Sequence, residues 1–371
     1  MRVAHVNIVR PRGIDDADAL LEAWPTLGAV AGAVARAGAD VTVIQPFHRN
    51  ARIDRNGVSY HFVMEPVLPG RATGCMPGRL ASAVGASGAQ VIHVNGLDFP
   101  LHTRALCRVG PPVLVQDHCS TAEIRCRRRR WGLARAAGIA FTDVRQAEPF
   151  AALGCFANSP RIFAIPESST DFTPGDREAA RGVTGLYGDP VILWVGRLVP
   201  KKDPLTILDA IDAALPALPD LQLWCFFHEQ PLLAAVEARL ARSPGLAAHV
   251  HLIGRVPHER IELLARAADF FLAASLSEGS GYALIEAIAC GATPIVSDIP
   301  SFRGLTDEGR IGALVPTGDA QGFARALISL AGESRDGLRQ AAADHFARSL
   351  SFDAIGKALC AAYQTLLDDR T

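Results

Sequence analysis

The sequence predicts an α/β fold made of two doubly wound parallel-sheet domains. A chain of 371 residues exceeds what one hydrophobic core usually supports, since single cores rarely grow past about 250–300 residues. Short apolar runs alternate with helical patterns from end to end, which is typical of β-α-β units. A stretch rich in Ser, Thr, Asp, Gly and Pro, residues 166–190, separates two such series and is the predicted linker.

In the first half, a periodic segment is predicted as a helix and five apolar runs as strands. Leu27, Val30 and Val34 share one helical face. Gly38 ends this helix, because glycine readily adopts the left-handed backbone of a helix terminus. The strands are Arg2–Ile8, Val41–Ile44, Val91–Val94, Val113–Gln116 and Ile162–Ile165.

After the linker the same alternation restarts. Strand Val191–Val195 leads to Asp203 and Pro204, which are predicted as a helix N-cap and the first helical residue. The last apolar stripe, Phe352–Leu367, is predicted as a helix that packs back on the first domain. The remaining strands are Leu221–Phe227, Val250–Ile253, Phe270–Ala273, Pro294–Ser297 and Gly312–Val315.

These elements define two predicted domains, 1–170 with about 352–371, and 186–350. Ligands of open parallel sheets bind beyond the carboxyl ends of the strands. Two such sheets that face each other would put a cleft between them, and we expect the chemistry of the protein there.

Composition excludes several classes of protein. A formal net charge of -1 gives no overall attraction to nucleic acid. The eight cysteines form no CxxC pair, so we expect reduced thiols rather than disulfides or a zinc site. Neither a signal-peptide pattern nor a run of about 18 apolar residues is present. We expect a soluble cytoplasmic protein that is able to work at the inner face of a membrane.

The segment from Ser275 to Gly291 carries the strongest functional signal. A strand is followed by a turn with Gly279 and Gly281, and a helix begins there. Backbone amides at a helix start favour phosphate, and glycine lets the chain approach a ligand closely. Glu278 and Glu286 repel phosphate, so we expect them to accept hydrogen bonds from sugar or ribose hydroxyl groups. Glu286 lies in an otherwise apolar helix, where an ionised carboxylate is rarely buried without a partner.

A second cluster follows the first strand of the second domain. Arg197 and Lys202 stand at the carboxyl end of that strand, the side on which ligands collect. Their cations are suited to neutralise a departing diphosphate and to stabilise its charge in a transition state.

Together these segments resemble the GT4-type retaining glycosyltransferases of the GT-B fold, glycosyltransferase group 1. The resemblance rests on Gly196-Arg197-Leu198 with Lys202, and on the spacing of Glu278 and Glu286. Three further segments resemble the family in the same order, and the likeness covers mainly residues 160 to 320. They are Gly254–His258, Ala267–Phe270 and Gly291–Ser297.

The resemblance implies that the first domain binds the acceptor and that the second binds the nucleotide-sugar donor. It also implies a role for each of these residues. Arg197 and Lys202 are expected on the diphosphate and Glu286 on the ribose hydroxyls, with Arg255 and Val256 beside the base. The remaining donor contacts, to the sugar and phosphates, are expected from Glu278, Gly279, Ser280, Gly281 and Tyr282. No metal and no further cofactor are expected.

In the first domain, Gln116-Asp117-His118 follows a strand and resembles the family's site near the reacting sugar. His118 is expected to hydrogen-bond a sugar hydroxyl; a structural role is the alternative. Three features depart from the family pattern, and they leave the acceptor and the sugar open. Ser280 stands where a phenylalanine is common. One glycine, Gly13, stands where a pair is common, and 167–171 replaces the usual segment before the linker.

A basic run, residues 125–130, follows His118 closely. It is interpreted either as a solvated helix face or as a contact to an anionic acceptor or membrane headgroups. The residues assigned to such a contact are Arg12, Gly13, Arg127, Arg128, Arg129 and Arg130. Asp16-Ala17-Asp18 matches a D-x-D metal motif, but acidic residues are favoured at helix starts, so we expect a structural role.

The predicted function is metal-independent transfer of a sugar from a nucleoside-diphosphate sugar to an acceptor hydroxyl, with retention at the anomeric carbon. The catalytic set is His118, Arg197, Lys202 and Glu278. One alternative is a nucleotide-sugar 2-epimerase of the same fold, and another is a catalytically silent nucleotide-sugar-binding subunit. The sequence leaves the base, the sugar and the acceptor open.

Overall fold

Two sheets organise the chain, and each has buried apolar side chains on both of its faces. The computed structural model describes residues 1–65, 77–120, 122, 126–156 and 158–369. One compact unit comprises Met1–Ser169 with Phe352–Thr371, and the other comprises Thr170–Ser351. Cys75, one of the eight cysteines, and Arg125, the first residue of the basic run, lie outside the described residues.

The first sheet has eight strands in the order β3-β4-β2-β1-β5-β6-β7-β8, and the second has six in the order β11-β10-β9-β12-β13-β14. All neighbours are parallel except β3 and β4. The strands of the first sheet are β1 (Arg2–Val6), β2 (Asp40–Phe47), β3 (Ala51–Arg55), β4 (Val58–Met64), β5 (Val91–Asn95), β6 (Val113–Gln116), β7 (Gly138–Phe141) and β8 (Arg161–Ala164). Those of the second are β9 (Val191–Gly196), β10 (Gln222–Phe227), β11 (Val250–Gly254), β12 (Phe270–Ala273), β13 (Thr293–Ser297) and β14 (Ala313–Val315).

Helices cover these sheets and connect most of the parallel strands. They are α1 (Ala17–Ala23), α2 (Pro25–Arg36), α3 (Gly78–Ala86), α4 (Pro100–Leu106), α5 (Cys126–Leu133), α6 (Glu148–Ala152), α7 (Arg177–Thr184), α8 (Pro204–Ala214), α9 (Leu233–Ala241), α10 (Pro244–Ala247), α11 (His258–Ala267), α12 (Tyr282–Ala289), α13 (Pro300–Leu305), α14 (Ala320–Ala331), α15 (Arg335–His345) and α16 (Phe352–Asp368). No described helix has the length and apolar character needed to cross a bilayer.

The hairpin of β3 and β4 is absent from the sequence prediction. Its two-residue turn, Asn56-Gly57, has positive φ at both positions, 54° and 76°. Asn-Gly between two strands is a strong hairpin signal, because both residues tolerate the left-handed backbone. The signal was therefore present in the sequence, although the flanking runs are short and only half-buried.

The predicted linker contains a helix, so the loop interpretation of 166–190 is wrong in its centre. Asp176 caps α7 by accepting a hydrogen bond from the Ala179 amide at 2.8 Å, and Gly185 ends it with φ 74°. The second unit begins at Thr170 rather than near residue 186. The polar composition of residues 166–190 misled the prediction, because α7 exposes most of its surface and buries only Ala180.

The C-terminal helix α16 is joined to the first sheet by a buried polar contact. The Tyr363 hydroxyl lies 2.9 Å from His5 Nε2 and 2.6 Å from His93 Nδ1. Burial lowers the pKa of His5 to about 4 and holds the pKa of His93 well below its usual range. Both rings are therefore neutral at neutral pH, and one hydroxyl can donate to one ring and accept from the other.

Removing this hydroxyl tests how firmly α16 is held. Tyr363→Phe leaves two buried ring nitrogens without a partner, so the free energy of unfolding is expected to fall by about 1–3 kcal/mol in urea denaturation. Tyr60→Phe, in the same unit, is the matched control, since the Tyr60 hydroxyl has no hydrogen-bond partner within the described residues. Equal losses in the two variants would contradict the bridging role.

Candidate functional site

The candidate site is built from the loops that follow two adjacent parallel strands. β9 pairs with β12 in parallel, so the segments after them emerge at the same edge of the second sheet. The Leu276 amide donates to the Lys201 carbonyl at 2.9 Å and ties the two loops together. The sequence placed its two chemical clusters in these loops, and the topology explains why they meet.

Lys202 and Glu278 form an ion pair across the two loops. The Ser275 hydroxyl also donates to Glu278 Oε1, at 2.9 Å. Both charged side chains are largely removed from solvent, which strengthens their attraction. The structure thus brings together two residues that the sequence assigned to different parts of a ligand, and each neutralises the other.

Helix α12 begins at this pair. Gly281 precedes it with φ 63°, a left-handed backbone that favours glycine. A Cβ there would also lie 2.6 Å from Leu305 Cδ1, so Leu305 would have to shift. Because the N-cap residue is glycine, no side chain at that position accepts a hydrogen bond from the helix amides. The N-terminus therefore presents amides and a positive dipole end, which favour an anion. Ser280 is partly exposed beside it and Tyr282 is exposed.

Glu286 is buried in the second turn of α12, and its partner is a residue that the sequence did not single out. His258 Nε2 lies 2.7 Å from Glu286 Oε1. Burial raises the pKa of Glu286, and the hydrogen bond from His258 partly offsets this. The His258 ring, exposed at the first turn of α11, lies 5.3 Å from the Phe172 ring. Nothing in the sequence links positions 28 residues apart on two helices.

The other predicted donor residues are more exposed. Arg197 does not join the Lys202–Glu278 pair; its Nη1 lies 3.7 Å from Glu229 Oε2. Arg255, in the loop after β11, is exposed, while Val256 packs half-buried against the core. Arg197 and Arg255 therefore lie in accessible loops of the second unit, and both side chains are largely solvated.

His118 follows β6 at the carboxyl edge of the first sheet and contacts an acidic residue. Its Nδ1 lies 2.5 Å from Glu167 Oε2, and the Glu167 side chain is only 7% exposed. Asp117 accepts from the amides of Cys119 and Ser120, each at 3.1 Å, and so shapes the turn that carries His118. Burial raises the pKa of Asp117. Glu167 lies in the segment that departs from the family pattern, and the sequence gave it no role.

The arginines of α5 do not share one environment. Arg127, Arg128 and Arg130 are exposed, as are Arg12 and Gly13 in the loop after β1. Arg129 is 1% exposed, pairs with Asp98 and lies over the Phe150 ring. It cannot contact a membrane or an acceptor at the surface, which corrects its inclusion in that set. Successive helical residues point about 100° apart, so one of four consecutive arginines faces inwards.

The D-x-D motif has the structural role that the sequence favoured. Asp16 caps α1 by accepting from the Ala19 amide at 3.0 Å, which lowers the pKa of Asp16. Asp18 pairs with Arg55 at 2.6 Å. Within the described ranges, no three His, Cys, Asp or Glu side chains are grouped to hold a metal ion. Metal independence stays a prediction.

Comparison with known proteins finds a family model and several relatives that are similar to this chain. The family model described as Glycosyl transferases group 1 matches residues 176–345. A D-inositol 3-phosphate glycosyltransferase of Nocardia farcinica is 32% identical over 192 residues, which are 50% of this chain and 42% of that protein. A GDP-mannose:cellobiosyl-diphosphopolyprenol alpha-mannosyltransferase of Xanthomonas oryzae pv. oryzae is 29% identical over 235 residues, 61% of this chain and 60% of that protein. The chain thus aligns with about half the length of these curated relatives.

Solved structures share the fold over nearly the whole chain. Sucrose-phosphate synthase from Thermosynechococcus elongatus superposes with a TM-score of 0.66 at 18% identity, covering 99% of both chains. Anabaena Alr3699/HepE in complex with UDP gives 0.68 at 15% identity, covering 98% of this chain and 100% of that one. The predicted fold class, two parallel α/β domains of the GT-B type with a C-terminal helix in the first unit, is confirmed.

The burial of Glu286 predicts a pH-dependent cost in stability. Because the pKa of Glu286 is raised in the folded state, ionisation disfavours that state, and the penalty grows as pH rises through this pKa. Glu286→Gln cannot ionise, so it is expected to be more stable than the parent at about pH 8, with the difference shrinking towards about pH 4.

Urea denaturation across this pH range measures the effect. Glu259→Gln, an exposed residue of α11, makes the same charge change and is expected to alter stability by less than about 0.5 kcal/mol at any pH. A Glu286→Gln protein that is less stable than the parent at high pH would contradict the assignment.

Proposed function

We propose that this chain transfers a sugar from a nucleoside-diphosphate sugar to an acceptor hydroxyl, since residues 176–345 match the family model described as Glycosyl transferases group 1. The single observation that carries the proposal is the Lys202–Glu278 pair at the glycine-led start of α12. That arrangement brings a cation and a helix N-terminus together with a carboxylate that accepts hydrogen bonds from hydroxyl groups. The combination suits a sugar joined to a diphosphate.

Each group in the second unit has a place in the proposed donor complex. Lys202, Arg197 and the first amides of α12 receive the diphosphate, and Glu278 accepts hydrogen bonds from the sugar. Glu286 accepts from the ribose hydroxyls and is oriented by His258, whose Nε2 is 2.7 Å away. Arg255 and Val256 flank the base. Gly279, Ser280, Gly281 and Tyr282 form the wall of the site along the phosphates and sugar.

The chemical step follows from where charge develops. As the bond between sugar and diphosphate breaks, negative charge on the leaving group is stabilised by Lys202, Arg197 and the dipole of α12. The acceptor attacks the resulting oxocarbenium-like sugar on the same face, so the anomeric configuration is retained, and its proton passes to the departing phosphate. His118, oriented by Glu167, hydrogen-bonds a sugar hydroxyl during this step.

The acceptor and the location are proposed more coarsely. We propose that exposed Arg127, Arg128 and Arg130, with Arg12 and Gly13, contact an anionic acceptor or anionic headgroups, and that the protein is cytoplasmic and peripheral at the inner face of the membrane. No nucleic-acid partner is proposed, since the chain has 37 basic and 38 acidic residues.

A panel of UDP-, GDP-, ADP- and dTDP-sugars identifies the donor. A bound donor raises the melting temperature by mass action, and donor turnover with and without an acceptor mixture separates a transferase from an epimerase or a silent binder. An epimerase converts donor without acceptor. A silent subunit is stabilised by donor and converts none, and that result would overturn the proposed reaction.

Lys202→Ala tests the proposed transition-state contact. Loss of one charge-stabilising group is expected to lower kcat by about 10²–10³-fold, with a smaller change in donor Kd. Lys201→Ala removes the adjacent lysine and is the matched control, expected to retain most activity. If Lys202→Ala and Lys201→Ala turn over alike, the diphosphate is bound elsewhere.

Chelation tests metal independence. The leaving group is neutralised by Lys202, Arg197 and helix amides in this mechanism, so saturating EDTA is expected to leave initial rates within about twofold of the untreated enzyme. Activity that disappears with EDTA and returns with added Mg²⁺ or Mn²⁺ would require a metal-bridged diphosphate instead.

A further inference from the structure

A small cavity in the first unit, at the edge of the sheet opposite to His118, is lined by three arginines. It has a volume of about 70 Å³ and is bounded by Arg104, Cys107, Arg108, Gly132 and Arg135. Arg104 belongs to α4, Arg108 to the loop between α4 and β6, and Arg135 to the loop between α5 and β7.

The position of these loops separates the cavity from His118. Both loops lead into strands, so they lie at the amino ends of β6 and β7. His118 follows the carboxyl end of β6. The two places are thus at opposite edges of the same sheet, and the arginine cavity is not an extension of the site described above.

The walls of the cavity are held by close packing. A Cβ at Gly132 would lie 2.4 Å from Pro100 Cα, so α4 and α5 approach each other more closely than any other residue permits. Arg104 Nη1 donates to the Trp131 carbonyl at 3.0 Å, and its guanidinium lies 4.5 Å from the centre of the Trp131 ring. These contacts fix one cation before any ligand arrives.

The charge of the cavity is not compensated from within the protein. In the part of the chain that the structure describes, Arg108 and Arg135 have no carboxylate at ion-pair distance. Arg104 Nε is buried and has no acceptor. Burial raises the pKa of the Cys107 thiol to about 11, so the thiol stays neutral and supplies no counter-charge. A buried donor without a partner is costly, and a bound anion would satisfy it.

We propose that this cavity binds the phosphoryl group of a phosphorylated small molecule. A volume of 70 Å³ corresponds to roughly two water molecules, enough for one tetrahedral oxyanion. Guanidinium groups bind such an anion by paired N–H···O bonds.

A neighbouring groove provides space for the rest of the molecule. It has a volume of about 550 Å³, shares Cys107 and Arg135 with the cavity, and continues to Asn158, Arg161 and Asp369. Arg161 and Asp369 neutralise each other through two hydrogen bonds of 2.8 Å. The groove therefore presents polar groups with little net charge beside a cationic end, which fits a neutral polar body that carries one phosphate.

Isothermal titration with inorganic phosphate, a hexose 6-phosphate and the free hexose tests the proposal. The unaltered chain is expected to bind both phosphates saturably at one distal site and the free hexose not at all. Arg108→Gln/Arg135→Gln is expected to weaken phosphate binding at least about tenfold. Arg135→Gln alone, in an exposed loop, is the milder variant if the double variant folds poorly.

Two controls make the result specific. Arg36→Gln/Arg52→Gln removes the same charge from exposed positions of the same unit and is expected to change the Kd by no more than about twofold. Lys202→Ala is expected to leave this phosphate site intact, which keeps the outcome independent of the proposed reaction. Equal weakening by Arg36→Gln/Arg52→Gln, or phosphate binding that depends on Lys202 and not on Arg108 and Arg135, would overturn the proposal. The proposal would also be overturned if the two phosphates bound the chain no more tightly than the free hexose.

Discussion

The buried carboxylate of Asp269 is the contact on which the second unit depends. It accepts hydrogen bonds from Arg181 at 2.7 Å, from Arg177 at 3.1 Å and from the Val191 amide at 2.8 Å. These donors lie on α7 and at the start of β9, while Asp269 directly precedes β12. A carboxylate that has left water needs such partners, and removal of one partner of a buried pair typically costs about 3–5 kcal/mol. One side chain thus fixes two strands and a helix together.

That anchoring reaches the site through strand register. Directly beyond Asp269, Phe270 is opposite Ile192 and Phe271 opposite Leu193, so the relative position of β9 and β12 is set at their amino ends. The loops with Lys202 and Glu278 emerge at the other ends of the same strands. A shift of one residue would move a side chain to the opposite face of a strand and separate the pair. The precision of the site is therefore a consequence of a charge network at the far edge of the sheet.

Much of this could be read from the sequence, and the failures have physical causes. Strand runs such as Val113–Gln116 and Phe270–Ala273 were predicted with the observed bounds, because apolar runs between turn residues carry that information locally. The Glu278–Lys202 region was found because helix starts and cations have local signatures. The contacts His258–Glu286 and His118–Glu167 were not, since they join residues 28 and 49 positions apart. Burial of one arginine among four depends on helix phase against a core that composition does not reveal.

The candidate site at Lys202 and the arginine cavity of the first unit differ in how their cations are paired. With 37 basic and 38 acidic residues the chain can compensate nearly all of its charge internally, and at the candidate donor site it does so: Lys202 is held by Glu278, and Arg197 contacts Glu229. An anion that binds there competes with carboxylates already in place, so part of its attraction is offset. In the proposed reaction, this favours release of the spent nucleotide, as turnover requires. Arg108 and Arg135 face no such competitor among the described residues. An anion at their cavity meets uncompensated guanidinium groups, which suits a ligand that is retained rather than turned over.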